Sequence, residues 1–242
     1  MPSMNANISE LVIIEDGHNT SYIISLLLGL FYHHTNINEI LLENEPTNIN
    51  FIYFQEMIKH NILDKIRKNM CVLSTCLNEL RNFMFLNGFL PNYEITNECN
   101  IIYFYKYMLN NINNQLLSVN NNNYAYIELD LSNDKYNLTN ETTLKTLLNI
   151  WLSENDIYLK NNFHESHIPQ IVPIYINRNN KKLKIDINEK IKLSKTVNVR
   201  WVINSVICIK DNKYSVLFNT NNYNREHKNS ELNNWYMYDN NS

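Results

Sequence analysis

Glycine is scarce in this chain of 242 residues, which has only Gly17, Gly29 and Gly88. A loop that cradles phosphate groups needs several closely spaced glycines, because the backbone must approach the phosphate oxygens. Three glycines spread this widely cannot form such a loop. We therefore do not expect a nucleotide-dependent enzyme.

Long hydrophobic runs are also missing. A membrane-spanning helix needs about 18 consecutive apolar residues, whereas the longest apolar stretch, residues 22–32, is shorter and has polar neighbours. The N-terminus carries neither a basic segment nor a cleavable signal. We expect an intracellular, cytoplasmic protein, or one carried in a virion, that does not bind a membrane.

Excess positive charge and paired cysteines are absent as well. The net charge is −3, and the lysines and arginines are scattered apart from a short cluster at 181–184, so nothing favours nucleic-acid binding. Cys71, Cys76, Cys99 and Cys208 form no CxxC pair. We predict no metal site, no cofactor and four buried free thiols.

Apolar and aromatic side chains, by contrast, are plentiful, at 44% and 12% of the chain. Asparagine is also in excess, which indicates an AT-rich genome. The apolar period of a helix occurs over 21–33, 49–67, 73–85, 100–117 and 140–152. Strand patterns occur over 124–131, 171–177, 182–187, 200–210, 213–219 and 234–238.

Helices that precede strands along a chain indicate an α+β fold. The strands at 171–177 and 182–187 flank the turn sequence NRNN, as in a hairpin. No linker rich in proline, glycine or serine interrupts the chain. We predict one domain over 1–242, with a helical half over about 11–119 and a β-rich half over about 120–242.

Five short motifs carry a resemblance to a known family. In chain order they are NTSYIISLL (19–27), NELRNF (78–83), TLKTLLNIW (143–151), IPQIVPIYINR (168–178) with KKLKIDINEKIKL (181–193), and a closing group of WVINSVICI (201–209), KYSVLF (213–218) and WYMYD (235–239). Together they resemble the ubiquitin-specific proteases, which are papain-like cysteine proteases that remove ubiquitin. The first motif is similar to the Asn-Thr-Cys-Tyr box that opens the nucleophile helix of that family. The resemblance covers about residues 11–240.

The resemblance implies a papain-like fold in which an N-terminal helical thumb is followed by an antiparallel β palm. It also implies that the zinc-bearing fingers subdomain is missing, because no four-cysteine ribbon lies between residues 93 and 124.

The resemblance also assigns site positions to four residues. Ser21 occupies the position of the nucleophilic cysteine, and Lys213 occupies that of the general-base histidine. Asp239 occupies the position of the residue that orients the histidine, and Asp16 that of the oxyanion-hole asparagine. A hydroxyl is a weaker nucleophile than a thiolate, a protonated lysine cannot accept a proton, and a carboxylate repels a developing oxyanion.

We therefore expect a catalytically inactive ubiquitin-protease-like protein that acts as a binding or structural scaffold. Its expected partner is ubiquitin, a ubiquitin-like protein or a viral assembly protein, and its expected source is a large DNA virus. One alternative is an active hydrolase, either a deubiquitinase whose cysteine has been replaced by Ser21 or a Ser–Lys hydrolase that uses a buried Lys213. The other alternative is an unrelated α+β interaction domain.

Overall fold

The computed structural model describes part of the chain, and the chain forms two compact units. One unit comprises residues 1–114 together with 204–242, and the other comprises residues 115–203. The described residues are 14–15, 17, 20–32, 49–68, 70–88, 97–112, 117–119, 122–124, 126–131, 141–154, 171–178, 183–187, 190–191, 201–210, 213–219 and 235–239.

The described part of the first unit is helical up to residue 112. Its helices are α1 (Ser21–Phe31), α2 (Ile49–Glu56), α3 (Asp64–Arg67), α4 (Ser74–Leu86) and α5 (Asn97–Ile112). A π-helical segment, Met57–Leu63, joins α2 to α3, so the helix predicted over 49–67 is continuous. The other helices predicted in this half are also confirmed, with shifted ends. Leu77, Leu80 and Met84 form the buried face of α4.

Helix α1 is the central element of the first unit. Every residue from Tyr22 to Phe31 is buried, although the sequence predicts a helix with only one apolar side. A helix that is apolar all round must be covered on all sides. Helix α5 covers it partly through an edge-to-face contact between Tyr22 and Phe104, whose ring centroids are 5.9 Å apart. Arg67 Nη2 donates to the carbonyl of Phe31, 3.2 Å away, at the end of α1.

A three-stranded antiparallel sheet also packs against α1 in the first unit. Its strands are β9 (Ser205–Lys210), β10 (Lys213–Asn219) and β11 (Trp235–Asp239), with β10 in the middle. Val216 is in register with Ile207 on one side and with Tyr238 on the other. Tyr214, Val216 and Tyr238 are buried, so one face of this sheet belongs to the core.

Gly29 is the point where α1 comes closest to the sheet. Its carbonyl accepts hydrogen bonds from Asn204 Nδ2 at 3.1 Å and from Ser205 Oγ at 2.7 Å. A Cβ atom at this position would lie 3.1 Å from Ile207 Cδ1 and 3.2 Å from Ser205 Oγ. The missing side chain therefore allows the helix backbone to contact the start of β9.

The second unit consists of short strand pairs and one helix, α6 (Leu144–Glu154). Its strands are β1 (Leu117–Val119), β2 (Asn122–Tyr124), β3 (Ile127–Asp130), β4 (Glu141–Thr143), β5 (Ile174–Asn177), β6 (Lys184–Asp186), β7 (Lys190–Ile191) and β8 (Trp201–Val202). Strands β1 and β2 pair antiparallel, as do β7 and β8, whereas β3 pairs with β5 and β4 with β6 in parallel. The core of this unit consists of Ile127, Leu129, Leu131, Leu144, Leu147, Leu148, Trp151 and Leu183.

The parallel pairs correct the prediction of an antiparallel palm. The fold is α+β, and β9 to β11 are antiparallel, but β5 and β6 do not form the hairpin expected around NRNN. Each of them pairs instead with a strand that precedes α6. Parallel strands need a long crossover connection, which α6 supplies. A sequence pattern around a short turn does not reveal such a distant partner.

The prediction of one domain over 1–242, with two halves that meet near residue 120, stays a prediction. Residues 115–203 form one unit, while the last strands of the chain belong with the helices. The physical reason is the apolar surface of α1, which β9 and β10 cover. The predicted buried thiols are a further correction, because Cys71 and Cys76 are half-buried and Cys208 is exposed. Cys99 lies outside the described side chains.

We expect Gly29→Val to lower the free energy of unfolding by about 1–3 kcal/mol, because the added methyl groups would overpack the contact with Ile207 and Ser205. Chemical denaturation measures this loss. The control is Leu86→Val, since Leu86 is 87% exposed and its replacement should change stability by less than about 0.5 kcal/mol. Equal stability of the Gly29→Val variant and the parent would contradict the close packing of α1 on the sheet.

Candidate functional site

Ser21, the predicted nucleophile position, is the first residue of α1. Thr20 is the N-cap residue, and its carbonyl accepts hydrogen bonds from the amides of Ile23 and Ile24 at 3.0 and 3.2 Å. The Thr20 side chain is buried but makes no capping hydrogen bond. Ser21 is half-buried and has no side-chain hydrogen bond to another described residue.

The short segment before α1 is held against the start of α4. The Glu15 amide donates to the carbonyl of Val72 at 2.9 Å, and Ile14 forms a parallel bridge with Val72. Glu15 Oε2 accepts hydrogen bonds from the Ser74 amide at 3.1 Å and from Ser74 Oγ at 3.2 Å. A carboxylate is favoured at a helix N-terminus, where free amides and the helix dipole attract negative charge. Glu15 therefore caps α4.

Gly17 is required by close packing in the same segment. A Cβ atom on Gly17 would lie 2.5 Å from Thr20 Oγ1 and 3.2 Å from Asn78 Oδ1 of α4. Only glycine leaves room for the Thr20 side chain to fold back in this way. Asp16, the predicted oxyanion-hole position, lies between Glu15 and Gly17 but outside the described residues.

The side chain of Tyr22, the residue after Ser21, is buried in the core of the first unit. It is 3% exposed and packs against Phe104. Burial raises the pKa of the Tyr22 hydroxyl far above its usual value, and the positive charge of Arg81 on α4 partly opposes this rise. Burial also raises the pKa of Tyr105 on α5. The surroundings of Tyr22 therefore disfavour negative charge.

Lys213 and Asp239, the other two predicted site residues, lie on neighbouring strands. Asp239 is in register with Ser215, which is two residues from Lys213 on β10. Residues two apart on a strand point to the same face, so Lys213 and Asp239 share one face of the sheet as diagonal neighbours. The Lys213 side chain is exposed and that of Asp239 is half-buried.

Helix α1 covers the opposite face of this sheet. Gly29 lies against the side chains of Ser205 and Ile207, and Ile207 is in register with Val216. Val216 follows Ser215 directly, so the two side chains point to opposite faces. The structure therefore brings Lys213 and Asp239 together but leaves Ser21 on the helix that covers the other face. A Ser–Lys pair would need a buried lysine, and Lys213 is exposed.

The described ranges contain no group of three or more His, Cys, Asp or Glu side chains that could hold a metal ion. Among the helices that the structure describes, none is long and apolar enough to cross a membrane.

A scan against protein-family profiles gives no match, and a search of curated proteins gives no significant match.

Two residues near Ser21 were not predicted from the sequence. Glu15 caps a helix that begins 59 residues later in the chain, and Arg81 acts on Tyr22 through its charge. Neither relation has a local signal, because each depends on the packing of α4 near the start of α1. Only the presence of an acidic residue shortly before a helix could have drawn attention to Glu15.

We expect Glu15→Ala to lower the free energy of unfolding by about 1 kcal/mol, because the start of α4 loses its two hydrogen bonds to the carboxylate. Urea denaturation near neutral pH measures the change. Glu56→Ala is the matched control, since Glu56 is an exposed carboxylate on α2. Equal losses in the two variants would show that Glu15 has no capping role.

Alkaline pH should destabilise the protein through Tyr22. An unfolded tyrosine ionises near its usual pKa of about 10, whereas burial raises the pKa of Tyr22 in the folded protein. The unfolded chain therefore loses protons first, and the free energy of unfolding falls as the pH rises above about 10. The slope of the free energy of unfolding against pH should therefore be less steep in Tyr22→Phe, by up to about 1.4 kcal/mol per pH unit.

Denaturation midpoints of the parent and the Tyr22→Phe variant between neutral pH and about pH 11 measure the change in slope. Tyr53→Phe serves as the control, since it removes the hydroxyl of a tyrosine that is 55% exposed. Parallel pH profiles for the parent and Tyr22→Phe would contradict the prediction.

Proposed function

We propose that this protein is a catalytically inactive, ubiquitin-protease-like scaffold that works by binding a protein partner. The observation that carries the proposal is the position of Lys213, which replaces the histidine of the resembled family. Lys213 is exposed on the sheet face that α1 does not cover.

The chemistry of acyl transfer supports an inactive site. A serine nucleophile needs a general base within about 3 Å to remove its proton. Lys213 lies on the other face of the sheet, and no described residue forms a side-chain hydrogen bond with Ser21. Loss of one member of a catalytic triad typically leaves only about 10³–10⁴-fold acceleration over water. Replacement of the nucleophile and the base together should leave less.

The contacts around Ser21 support a structural role for the segment. Glu15 caps α4, Gly17 makes room for Thr20, and Gly29 holds α1 against the sheet. These contacts position helices and do not need a reactive side chain at residue 21. A serine at the first position of a helix is then a polar residue beside free backbone amides.

Exposed apolar side chains support a protein partner. Ile49 and Tyr53 on α2 are 78% and 55% exposed, and Leu86 at the end of α4 is 87% exposed. The two helices touch here, because the rings of Tyr53 and Phe83 have centroids 5.2 Å apart. Adjoining exposed apolar side chains are typical of surfaces that contact other proteins.

A second candidate is an α+β interaction domain unrelated to the ubiquitin-specific proteases. The parallel pairs β3–β5 and β4–β6 favour it, because the resemblance implies an antiparallel palm. Both candidates are binding proteins, and they differ in whether a disused catalytic cleft is present.

The experiment that tests the proposal uses a ubiquitin probe with a reactive C-terminus and a ubiquitin–fluorophore substrate. Three proteins are compared: the parent, Ser21→Cys, and Ser21→Cys/Lys213→His. We expect neither labelling nor turnover with the parent and with Ser21→Cys, because both lack a general base. An active deubiquitinase serves as the control for the reagents, and circular dichroism checks that each variant is folded.

Turnover by the parent would contradict the proposal and indicate that Ser21 is a working nucleophile. Labelling of Ser21→Cys alone would also contradict it, since a working site would then lack only its thiol. Labelling of the double variant alone would support a disused protease cleft. All three folded proteins could also show neither labelling nor turnover. If the parent then changes the chemical shifts of ¹⁵N-labelled ubiquitin, the result would support ubiquitin binding without a cleft.

A further inference from the structure

Lys65 and Cys76 form an unusual contact between two helices of the first unit. Lys65 Nζ, on α3, donates a hydrogen bond to Cys76 Sγ, on α4, over a distance of 3.4 Å. Among the residues that the structure describes, Lys65 has no carboxylate within ion-pair distance. The neighbouring carboxylate of Asp64 instead contacts His60 Nδ1 at 3.0 Å. The thiol is therefore the polar partner of the lysine amine.

The surroundings hold the two side chains in place. Residues 65 and 76 are joined by a short connection in which the Met70 amide donates to the Lys65 carbonyl at 2.8 Å. Cys76 lies in the first turn of α4, and its amide donates to the Leu73 carbonyl at 3.1 Å. Glu15 caps the same helix. Backbone hydrogen bonds therefore hold both Lys65 and Cys76 in position.

The contact is also open to small reagents, since both side chains are only half-buried. A small oxidant can therefore reach Sγ. When a reactive sulfur and an amine are held this close, their reaction is effectively intramolecular and is strongly favoured over the same reaction between separate molecules.

We propose that Lys65 and Cys76 are a modification site, at which peroxide oxidation links the two side chains through a sulfur–nitrogen bond. Sγ first attacks one oxygen of hydrogen peroxide, the O–O bond breaks, and Cys76 becomes a sulfenic acid with release of water. The Lys65 ammonium gives up a proton to water, and the resulting amine attacks this sulfur. The S–N bond forms, the S–O bond breaks, and the departing hydroxide takes the amine proton to leave as a second water.

The link would join α3 to α4 covalently. It closes a short loop of the chain and so restricts the unfolded state more than the folded one, as a disulfide does. Oxidation should therefore raise the melting temperature of the protein by about 5 °C. Thiol reductants should reverse the change, because they attack the sulfur and release the amine.

The test uses a parent variant that retains Cys76 alone, Cys71→Ser/Cys99→Ser/Cys208→Ser. The full-length protein is treated with hydrogen peroxide, alkylated, digested with trypsin and analysed by mass spectrometry. The expected product joins peptide 60–67, which is uncut at Lys65, to peptide 69–81. Its mass is that of the two free peptides less two hydrogens, and a reductant separates them.

Lys65→Arg in the same background is the matched control, because it keeps the positive charge but cannot form the link under these conditions. We expect the joined peptides and the rise in melting temperature only when Lys65 is present. If peroxide oxidises Cys76 but no joined peptides form, the proposal is wrong. Joined peptides in the Lys65→Arg variant, or a Cys71–Cys76 disulfide as the sole product in the wild-type protein, would also overturn it.

Discussion

The contact between Gly29 and the start of β9 determines how the rest of the first unit can be arranged. Helix α1 is buried along nearly its whole length, so it needs apolar cover on every side. The Gly29 carbonyl accepts hydrogen bonds from Asn204 and Ser205, which fixes the helix against one particular face of the sheet. The last strands of the chain therefore join the helices at its beginning.

Because strands alternate their side chains, this one contact also decides which residues can meet at the start of α1. Ile207, Val216 and Tyr238 face the helix. Lys213 and Asp239 belong to the other face. The three positions that the family resemblance groups as a triad are thus divided between a helix on one face and two side chains on the other. The proposed loss of catalysis follows from this division as well as from residue identity.

The sequence predicted those features that depend on neighbouring residues. It predicted the bounds of β10 and the helices α1 and α4, because each has a local pattern of apolar residues. It did not predict the parallel pairs around α6, whose partner strands are far apart in the chain. The Glu15 cap and the exposure of the cysteines also depend on packing between distant segments. Of the four candidate site residues, the sequence correctly placed Ser21 at a helix start and Lys213 at a strand start.

A lysine at position 213 itself favours the observed register. Tyr214, the next residue, is buried against the core at 1% exposure. A slip of one residue would exchange the faces of β10 and turn Lys213 toward the core. Burial of an ammonium group without a partner is strongly unfavourable, so the slipped register has a higher free energy than the observed one. A neutral histidine at this position would oppose the slip much less. The lysine that the family resemblance places at the general-base position therefore helps to hold the sheet in the arrangement that separates Lys213 from α1.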